Sequence, residues 1–412
     1  MCKDDFLIHL VKSPKSLEGG KSTFEALVFC PSNYTVERRK HLRSLSHSYY
    51  MNIALELAKK ASPLVLPNPR VGCVIVKNGI IIGKGYHQKY GEKHAEVLAI
   101  EDAIKNGNSL KNATMYVTLE PCCHFGKQPP CTDAIIKSGI KKVVVATKDP
   151  NPLVNGKGIQ ILKQHGIEVI EGILEKEAES VNKEFFKYMK KGIPYIAIKV
   201  AQSIDGKIAT PSNKRFLFNT EDENIFVHSL RQKYMATMVS VNTVISDNPI
   251  LNARYGQIVR QPIRVVLDSK LRIPLDCNIV KTSDEYSTYI VCSENVNDTQ
   301  KIELLSQKGI KIIFATSSED GHLDLLDAFS KLAQQKIVSV LVEGGSLLNF
   351  FLLKQRIVDY WYSLIFNVFI GGQNTKGVIG AEGFEQFFPK LVNTKVTTFK
   401  NSTIIEGDIS YV

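Results

Sequence analysis

His94-Ala95-Glu96, and further along Pro121-Cys122-Cys123-His124 and Cys131, bring together an imidazole, thiols and a carboxylate. Imidazole and thiolate suit zinc, and three protein ligands leave the fourth tetrahedral corner to a water whose pKa the ion lowers to about 7. Hydrolytic removal of an amino group from an amidine-like ring carbon needs such a water, because free water is a poor nucleophile at neutral pH. It also needs a carboxylate off the metal, to carry a proton from water to the ring nitrogen and the departing amine. The expectation is that His94, Cys122 and Cys131 hold Zn2+ and that Glu96, two residues from His94, moves the proton.

The general zinc-deaminase pattern is H-x-E followed by P-C-x-x-C. Here eight residues separate Cys122 from Cys131. Gly126 and Pro129-Pro130 make that insert a fixed loop able to return Cys131 to the metal. An isolated H-x-E carries little weight, and a closed structural site with Cys123 or His124 as a fourth ligand is the competing arrangement. Adjacent cysteines rarely ligate one ion together, so Cys123 reads as a packed neighbour. His124 reads as lining the pocket or bonding to backbone. In Pro67-Asn68-Pro69-Arg70 the two prolines impose an extended approach to a strand, where the Asn68 amide could hold a substrate or form an ordinary turn.

The elements that must position these residues alternate. Ile53, Leu57 and Ala61 share a helical face, Val71–Val76 is strand-like, Asn78-Gly79 is a hairpin turn and Ile80–Gly85 returns. Helices are expected over 94–105, 132–137 and 158–165, and strands over 114–119, 142–147 and 168–170. An amphipathic stretch, 175–190, and Lys191-Gly192-Ile193-Pro194 mark a join. Beyond it, strands are expected at 195–201, 236–241, 263–267, 288–292, 310–314 and 337–342, with helices at 221–232, 323–334 and 346–354. This is an α/β layered class. The division expected is a flexible extension over 1–47, a first domain over 48–190 and a second over 191–412.

The 412 residues are 44% hydrophobic and 23% charged, as in a packed protein of two domains, and no apolar run reaches membrane-spanning length. The formal charge of +11 reads either as general surface basicity or as attraction of a phosphorylated small molecule. Basic residues are dispersed and lack interleaved aromatics, which disfavours nucleic acid. The eight cysteines form no disulfide framework, and three of them lie within ten residues beside histidines, pointing to metal chemistry in a reducing compartment, the cytoplasm. The first 47 residues lack a secretory core, and Asp4, Asp5 and Glu18 argue against a transit peptide; Met51 is an alternative start.

Three strings now carry a resemblance: Pro67-Asn-Pro-Arg-Val-Gly-Cys-Val-Ile-Val, His94-Ala-Glu-Val, and Thr118-Leu-Glu-Pro-Cys-Cys-His-Phe-Gly-Lys-Gln-Pro-Pro-Cys131. With Asp149-Pro-Asn-Pro and Asn155-Gly-Lys-Gly158, they resemble the bifunctional riboflavin-biosynthesis deaminase/reductases of the RibD type. The resemblance runs from about residue 48 to the C-terminus. It implies a cytidine-deaminase-like three-layer first domain acting on a diaminopyrimidinone with a phosphoribosylamino arm, and it sets Asn68 in the pocket. It also implies a dihydrofolate-reductase-like second domain that uses NADPH to reduce the ribosyl group to ribityl, and a homo-oligomer.

By the same resemblance Lys199 and Glu343 are catalytic. Ala201, Leu217, Thr243, Asp247, Gly345 and Ser346 contact the cofactor, and Arg215, Leu251, Arg254 and Glu343 contact the substrate. Independently, Gly344-Gly345-Ser346 follows an apolar strand and opens a helix, where exposed amides can hold a phosphate; a plain tight turn is the other reading. Arg254 could clamp a phosphate in bidentate fashion or stand free on the surface. Lys199 could polarise the sugar carbonyl or be a solvated strand lysine. The family has Ser-Lys-Trp-Ile where this chain has Arg215-Phe216-Leu217-Phe218. Leu217 supplies neither an indole face nor an N–H donor. The second reading is therefore a deaminase whose second domain has lost its reductase activity.

Overall fold

The computed structural model describes residues 46–212, 220–318 and 321–412. The extension expected over residues 1–47 lies, but for its last two residues, outside this set, as do Arg215 and Leu217.

The first half runs α1 (Ser46–Lys59), β1 (Gly72–Lys77), β2 (Ile80–Tyr86), α2 (Ala95–Lys105), β3 (Thr114–Val117), α3 (Cys131–Ser138), β4 (Lys142–Val145), α4 (Lys157–Gln164), β5 (Glu168–Glu171), α5 (Glu175–Val181) and α6 (Lys183–Lys191). The β1–β2 turn is made by Asn78 and Gly79, both at positive φ (51° and 82°), which matches strand twist in a two-residue hairpin. The strands form one sheet in the order β2-β1-β3-β4-β5, with β1 antiparallel to both neighbours and the remainder parallel. β1 is buried on both faces, which is why its sequence is a continuous apolar run. Ile75, Met115 and Val143 pack under Ala99, Ile135 and Leu162 on one face. Val74, Tyr116 and Val144 pack against Met51, Leu55 and Ala178 on the other. The result is three layers.

α2 lies directly on β2. A Cβ at Gly85 would come within 2.4 Å of the Ala95 carbonyl oxygen, so only glycine allows this approach. The start of α2, and with it His94 and Glu96, is thereby fixed over the sheet.

The second half runs β6 (Tyr195–Ser203), α7 (Glu221–Lys233), β7 (Ala236–Ser240), α8 (Val241–Asp247), β8 (Ile263–Leu267), α9 (Asn278–Lys281), β9 (Thr288–Ser293), α10 (Thr299–Gln307), β10 (Lys311–Ala315), α11 (Leu325–Gln334), β11 (Ser339–Val342), α12 (Ser346–Lys354), β12 (Tyr360–Phe366), β13 (Pro389–Thr398) and β14 (Ser402–Tyr411). These build a second sheet in the order β10-β9-β8-β7-β11-β6-β12-β14-β13, parallel as far as β12 and antiparallel beyond it. Its central strands are apolar on both faces, and Ile196, Ile198, Met238, Val265 and Val340 meet Phe329, Leu332 and Leu352 of the covering helices. Among the described residues no helix is long and apolar enough to cross a membrane.

Candidate active site

In the first half the chemistry collects where two helices begin. His94 is the residue before α2, Glu96 lies in its first turn, and Cys131 opens α3. Cys122 follows β3, and its Sγ accepts the backbone N–H of Cys131 at 3.4 Å. The insert between the cysteines therefore folds back as a closed loop, as its glycine and prolines suggested. His94 Nδ1 lies 3.3 Å from Cys131 Sγ and 3.5 Å from Cys122 Sγ, and the three donor atoms sit within 4.8 Å of one another. Bond lengths of 2.0–2.3 Å to a tetrahedral zinc require ligand–ligand edges of about 3.5 Å. The donor set and its spacing thus fit zinc.

Among the described residues no fourth His, Cys, Asp or Glu joins this group, so the closed structural site is not formed. The Cys123 thiol turns away toward the Leu153 carbonyl, 3.8 Å distant. His124 has a buried Nδ1 without a partner in the described structure. The Cys131 thiol beside Cys122 draws the Cys122 thiol far below its ordinary range, while the same contact and burial push Cys131 up. The backbone N–H of Cys131, at the opening of α3, favours the Cys122 thiolate.

Glu96 is 3% exposed, and burial pushes its carboxyl up to about 7. A carboxyl in that range can both accept and release a proton at neutral pH. Asn68 lies near the same centre: its Nδ2 is 3.2 Å from His87 Nε2. His87, at 2% exposure, has Nδ1 3.1 Å from the Lys93 carbonyl oxygen, and its ring meets that of His94 edge-on with centroids 5.2 Å apart. The N–H on Nδ1 donates to that carbonyl, so Nε2 accepts from the Asn68 amide and fixes which way that amide points. Sequence reading passed over His87. The available signal was a second histidine seven residues before the ligand, at the end of a strand.

The second half holds a cavity of about 1390 Å³ at the carboxyl ends of its parallel strands, the usual place for a ligand in an open α/β sheet. Lys199, Ala201, Thr243, Asp247, Leu251, Glu343, Gly345 and Ser346 all line it. Lys199 Nζ is 3.0 Å from Glu343 Oε2, and Arg231 holds Glu343 in bidentate fashion, Nε to Oε1 at 2.6 Å and Nη2 to Oε2 at 3.1 Å. Burial opposes the Glu343 charge, but Arg231 and Lys199 outweigh it and hold the carboxyl well below its usual range. The solvated-lysine reading of Lys199 is excluded, since the residue is 6% exposed. Arg231 was not anticipated. It stands on α7, 112 residues from Glu343, and only the fold brings them together.

α12 begins at Ser346 without a side-chain cap, and nothing lies within 4 Å of where a Gly345 Cβ would be. The backbone at Gly345 is therefore open to close approach by an anionic group, while Gly380 packs against the Leu347 amide. The cavity's size and this helix start fit a dinucleotide cofactor with a small substrate beside it. Arg254 is placed differently from its neighbours. It is exposed and absent from the cavity lining; its backbone N–H donates to His228 Nδ1 at 3.0 Å and its Nη1 to Asn252 Oδ1 at 3.0 Å.

Both halves match known families. Residues 44–147 match the cytidine and deoxycytidylate deaminase zinc-binding region, and residues 194–405 match the RibD C-terminal domain. The riboflavin biosynthesis protein RibD of Actinobacillus pleuropneumoniae is 44% identical over 87% of this chain and 93% of its own length. That of Aquifex aeolicus is 42% identical over 86% and 96%. Among solved structures, an Acinetobacter baumannii RibD superposes with a TM-score of 0.76 at 35% identity, covering 88% of this chain and 99% of that one. Similarity that runs through both sheets, at such identity and nearly to the full length of each relative, leaves one assignment: the chain belongs to the RibD family of bifunctional deaminase/reductases of riboflavin biosynthesis.

Proposed function

We propose that this protein catalyses two consecutive steps. The first is deamination of 2,5-diamino-6-(5-phosphoribosylamino)pyrimidin-4(3H)-one in the domain over residues 48–190. The second is reduction of the ribosyl group to ribityl in the domain over 191–412. A Thermotoga maritima relative, 34% identical with a TM-score of 0.73, is described as the corresponding deaminase and reductase. The observation that carries the reading is the convergence of His94, Cys122 and Cys131 with the buried Glu96 beside them.

His94, Cys122 and Cys131 would hold zinc, which when bound would supply an activated water for the ring carbon that bears the amine. Glu96 is placed to move two protons in turn, the first from the attacking water to the ring nitrogen, where it stays, and the second from the new hydroxyl to the amine, which leaves as ammonia. Asn68, oriented by His87, offers its amide to the pyrimidine. In the second site Ala201, Thr243, Asp247, Gly345 and Ser346 would hold NADPH, which would supply the hydride. Lys199, kept charged by Glu343, polarises the sugar carbonyl or its imine. Leu251, which lines the cavity, packs against the substrate, and the exposed Arg254, outside that lining, is the candidate clamp for its phosphate. The net charge of +11 favours such an anionic substrate over a neutral one. Because the metal thiols must stay reduced, a cytoplasmic setting fits the chemistry.

The test follows ammonia release and NADPH oxidation separately on the purified chain. Ammonia release that depends on zinc, followed by NADPH oxidation with the deaminated product, supports both steps. Deamination without NADPH oxidation by folded protein leaves the deaminase alone, the outcome favoured by Leu217 in place of the family's tryptophan.

A further inference from the structure

Residues 148–193 fall between the two family matches, which cover 44–147 and 194–405. Inside that interval Asn182 separates α5 from α6, and its side chain caps α6 with no hydrogen bond. It reaches instead to a residue 112 positions earlier. The Arg70 backbone N–H donates to Asn182 Oδ1 at 2.7 Å, and Asn182 Nδ2 donates to the Arg70 carbonyl at 2.9 Å. One amide side chain thus stands in for a paired strand, and it is 2% exposed. The Arg70 guanidinium closes on the same helices, 3.5 Å from Glu184 Oε2 and 3.4 Å from the Val181 carbonyl.

Arg70 is two residues from Asn68, and the next residue, Val71, accepts the His87 N–H at 2.9 Å. The short segment that carries Asn68 is therefore tied on one side to His87, whose ring meets that of His94, and on the other to Asn182. The helix that follows Asn182 is itself anchored. Lys187 Nζ lies 2.5 Å from Asp359 Oδ2 and donates to the Ile357 carbonyl at 2.7 Å, while the same Asp359 oxygen accepts the Ile196 N–H at 2.7 Å. α6, which begins after Asn182, is thus tied to the second sheet through Lys187.

We propose that Asn182 is a positioning residue of the deaminase site. By holding the Arg70 backbone it sets where Asn68 presents its amide, so the segment joining the two domains is a working part of the first site. The inference rests on the reading that Asn68 contacts the pyrimidine. Removing the Asn182 amide leaves a buried N–H and C=O unpaired, and the segment must shift to find other partners. A displaced Asn68 weakens substrate binding. The ligands and Glu96 are untouched, because they stand on α2, α3 and the loop after β3.

The experiment measures steady-state deamination, zinc content and NADPH oxidation for full-length, zinc-loaded Asn182→Ala, Asn182→Asp and Asn68→Ala. Asn182→Ala is expected to raise KM for the aminopyrimidine about tenfold, with kcat within about twofold, zinc retained and NADPH oxidation unchanged. Asn182→Asp keeps the acceptor for Arg70 N–H but loses the donor to its carbonyl, so KM rises by an intermediate factor of about three. A merely structural role would lower the melting temperature and the active fraction, reducing kcat at constant KM, and that pattern overturns the proposal. If Asn182→Ala does not fold, an unchanged KM in Asn182→Asp overturns it as well. Asn68→Ala separates the two levels. A raised KM there with normal KM in the Asn182 variants removes the positioning role alone, whereas an unchanged KM in Asn68→Ala removes both.

Discussion

Glu343→Gln removes one negative charge from between two buried cations with almost no change of shape. In the native protein Glu343 accepts three contacts from Lys199 and Arg231, and the side chains of all three residues are at most 8% exposed. Breaking a buried ion pair from one side typically costs about 3–5 kcal/mol, because the partner is left charged and dry. Here two partners are left, but the cluster has an escape: a lysine can shed its proton. Neutralising a lysine of ordinary pKa near 10.4 at pH 7.4 costs about 4 kcal/mol, which caps the penalty. The expected loss is therefore about 3–4 kcal/mol. In a domain of this size each kcal/mol moves the midpoint by roughly 2–4 °C, so the second domain should melt about 6–16 °C lower.

The pH dependence carries the sign of the argument. Glu343 is held below its ordinary range, so its contribution in the native protein is fully present above the unfolded glutamate pKa and fades only as pH falls through the lower folded value. In Glu343→Gln the deficit should shrink between about pH 7 and 9.5, as proton loss from the lysine becomes easier. Circular-dichroism melts of both proteins across that range give the numbers, and ammonia release reports the first domain, which should be unaffected. A variant that melts within about 2 °C of the native protein at pH 7.4 would refute the charge argument.

Glu96→Gln should retain zinc by elemental analysis yet lose roughly 10²–10⁴-fold in ammonia release, since only the proton path is removed. Stripping zinc with a chelator should abolish ammonia release, while NADPH oxidation with the deaminated intermediate persists. Gly158→Ala puts a Cβ 2.2 Å from the carbonyl of Pro121, the residue before Cys122, and this overpacking should lower stability by about 1–3 kcal/mol and weaken zinc retention, as read by melting and by metal content after dialysis. His228 is driven down to about 4, chiefly by burial and then by Arg231, and its neutral Nδ1 accepts the Arg254 N–H. Stability should therefore fall as pH drops from about 6.5 toward 4, with a slope of at most about 1.4 kcal/mol per pH unit from this group, and His228→Phe should flatten that part of the profile in pH-dependent melts.

The metal centre was legible because ligand types and local spacing suffice to announce it, and glycine and proline in the insert say that its ends meet. The central strands of the first half, β1, β3 and β4, were legible because their apolar runs are buried nearly throughout. The C-terminal strands were not. β13 is exposed along nearly its whole length and has no apolar alternation to read. The stretch 175–190 reads only as an amphipathic join, and its period does not show the break into two helices at Asn182, whose amide is bonded to the Arg70 backbone. Arg231 and His87 escaped for a related reason. Their importance lies in contacts with Glu343 and Asn68, and a sequence states a side chain's chemistry far more directly than its distant partner. Arg254 shows the converse: its type suggested a phosphate clamp, while its placement outside the cavity lining depends on Asn252 and His228.

The two sites sit on separate sheets with separate cores, so a change in one should reach the other only through the elements that touch both. α6, with Asn182 before it, is such an element. Its polar contacts point in opposite directions, Asn182 and Glu184 toward Arg70 and Lys183 and Lys187 toward Asp408 and Asp359. Weakening the inner pair, Lys187 with Asp359, should loosen the helix that seats Asn182 while leaving every zinc ligand and every residue of the large cavity in place. Lys187→Met is therefore expected to act on the deaminase KM from the reductase side of the joint, by less than the change in Asn182 itself. A Lys187→Met protein with unaltered deaminase KM would mean that the Arg70 segment holds its position without the second sheet.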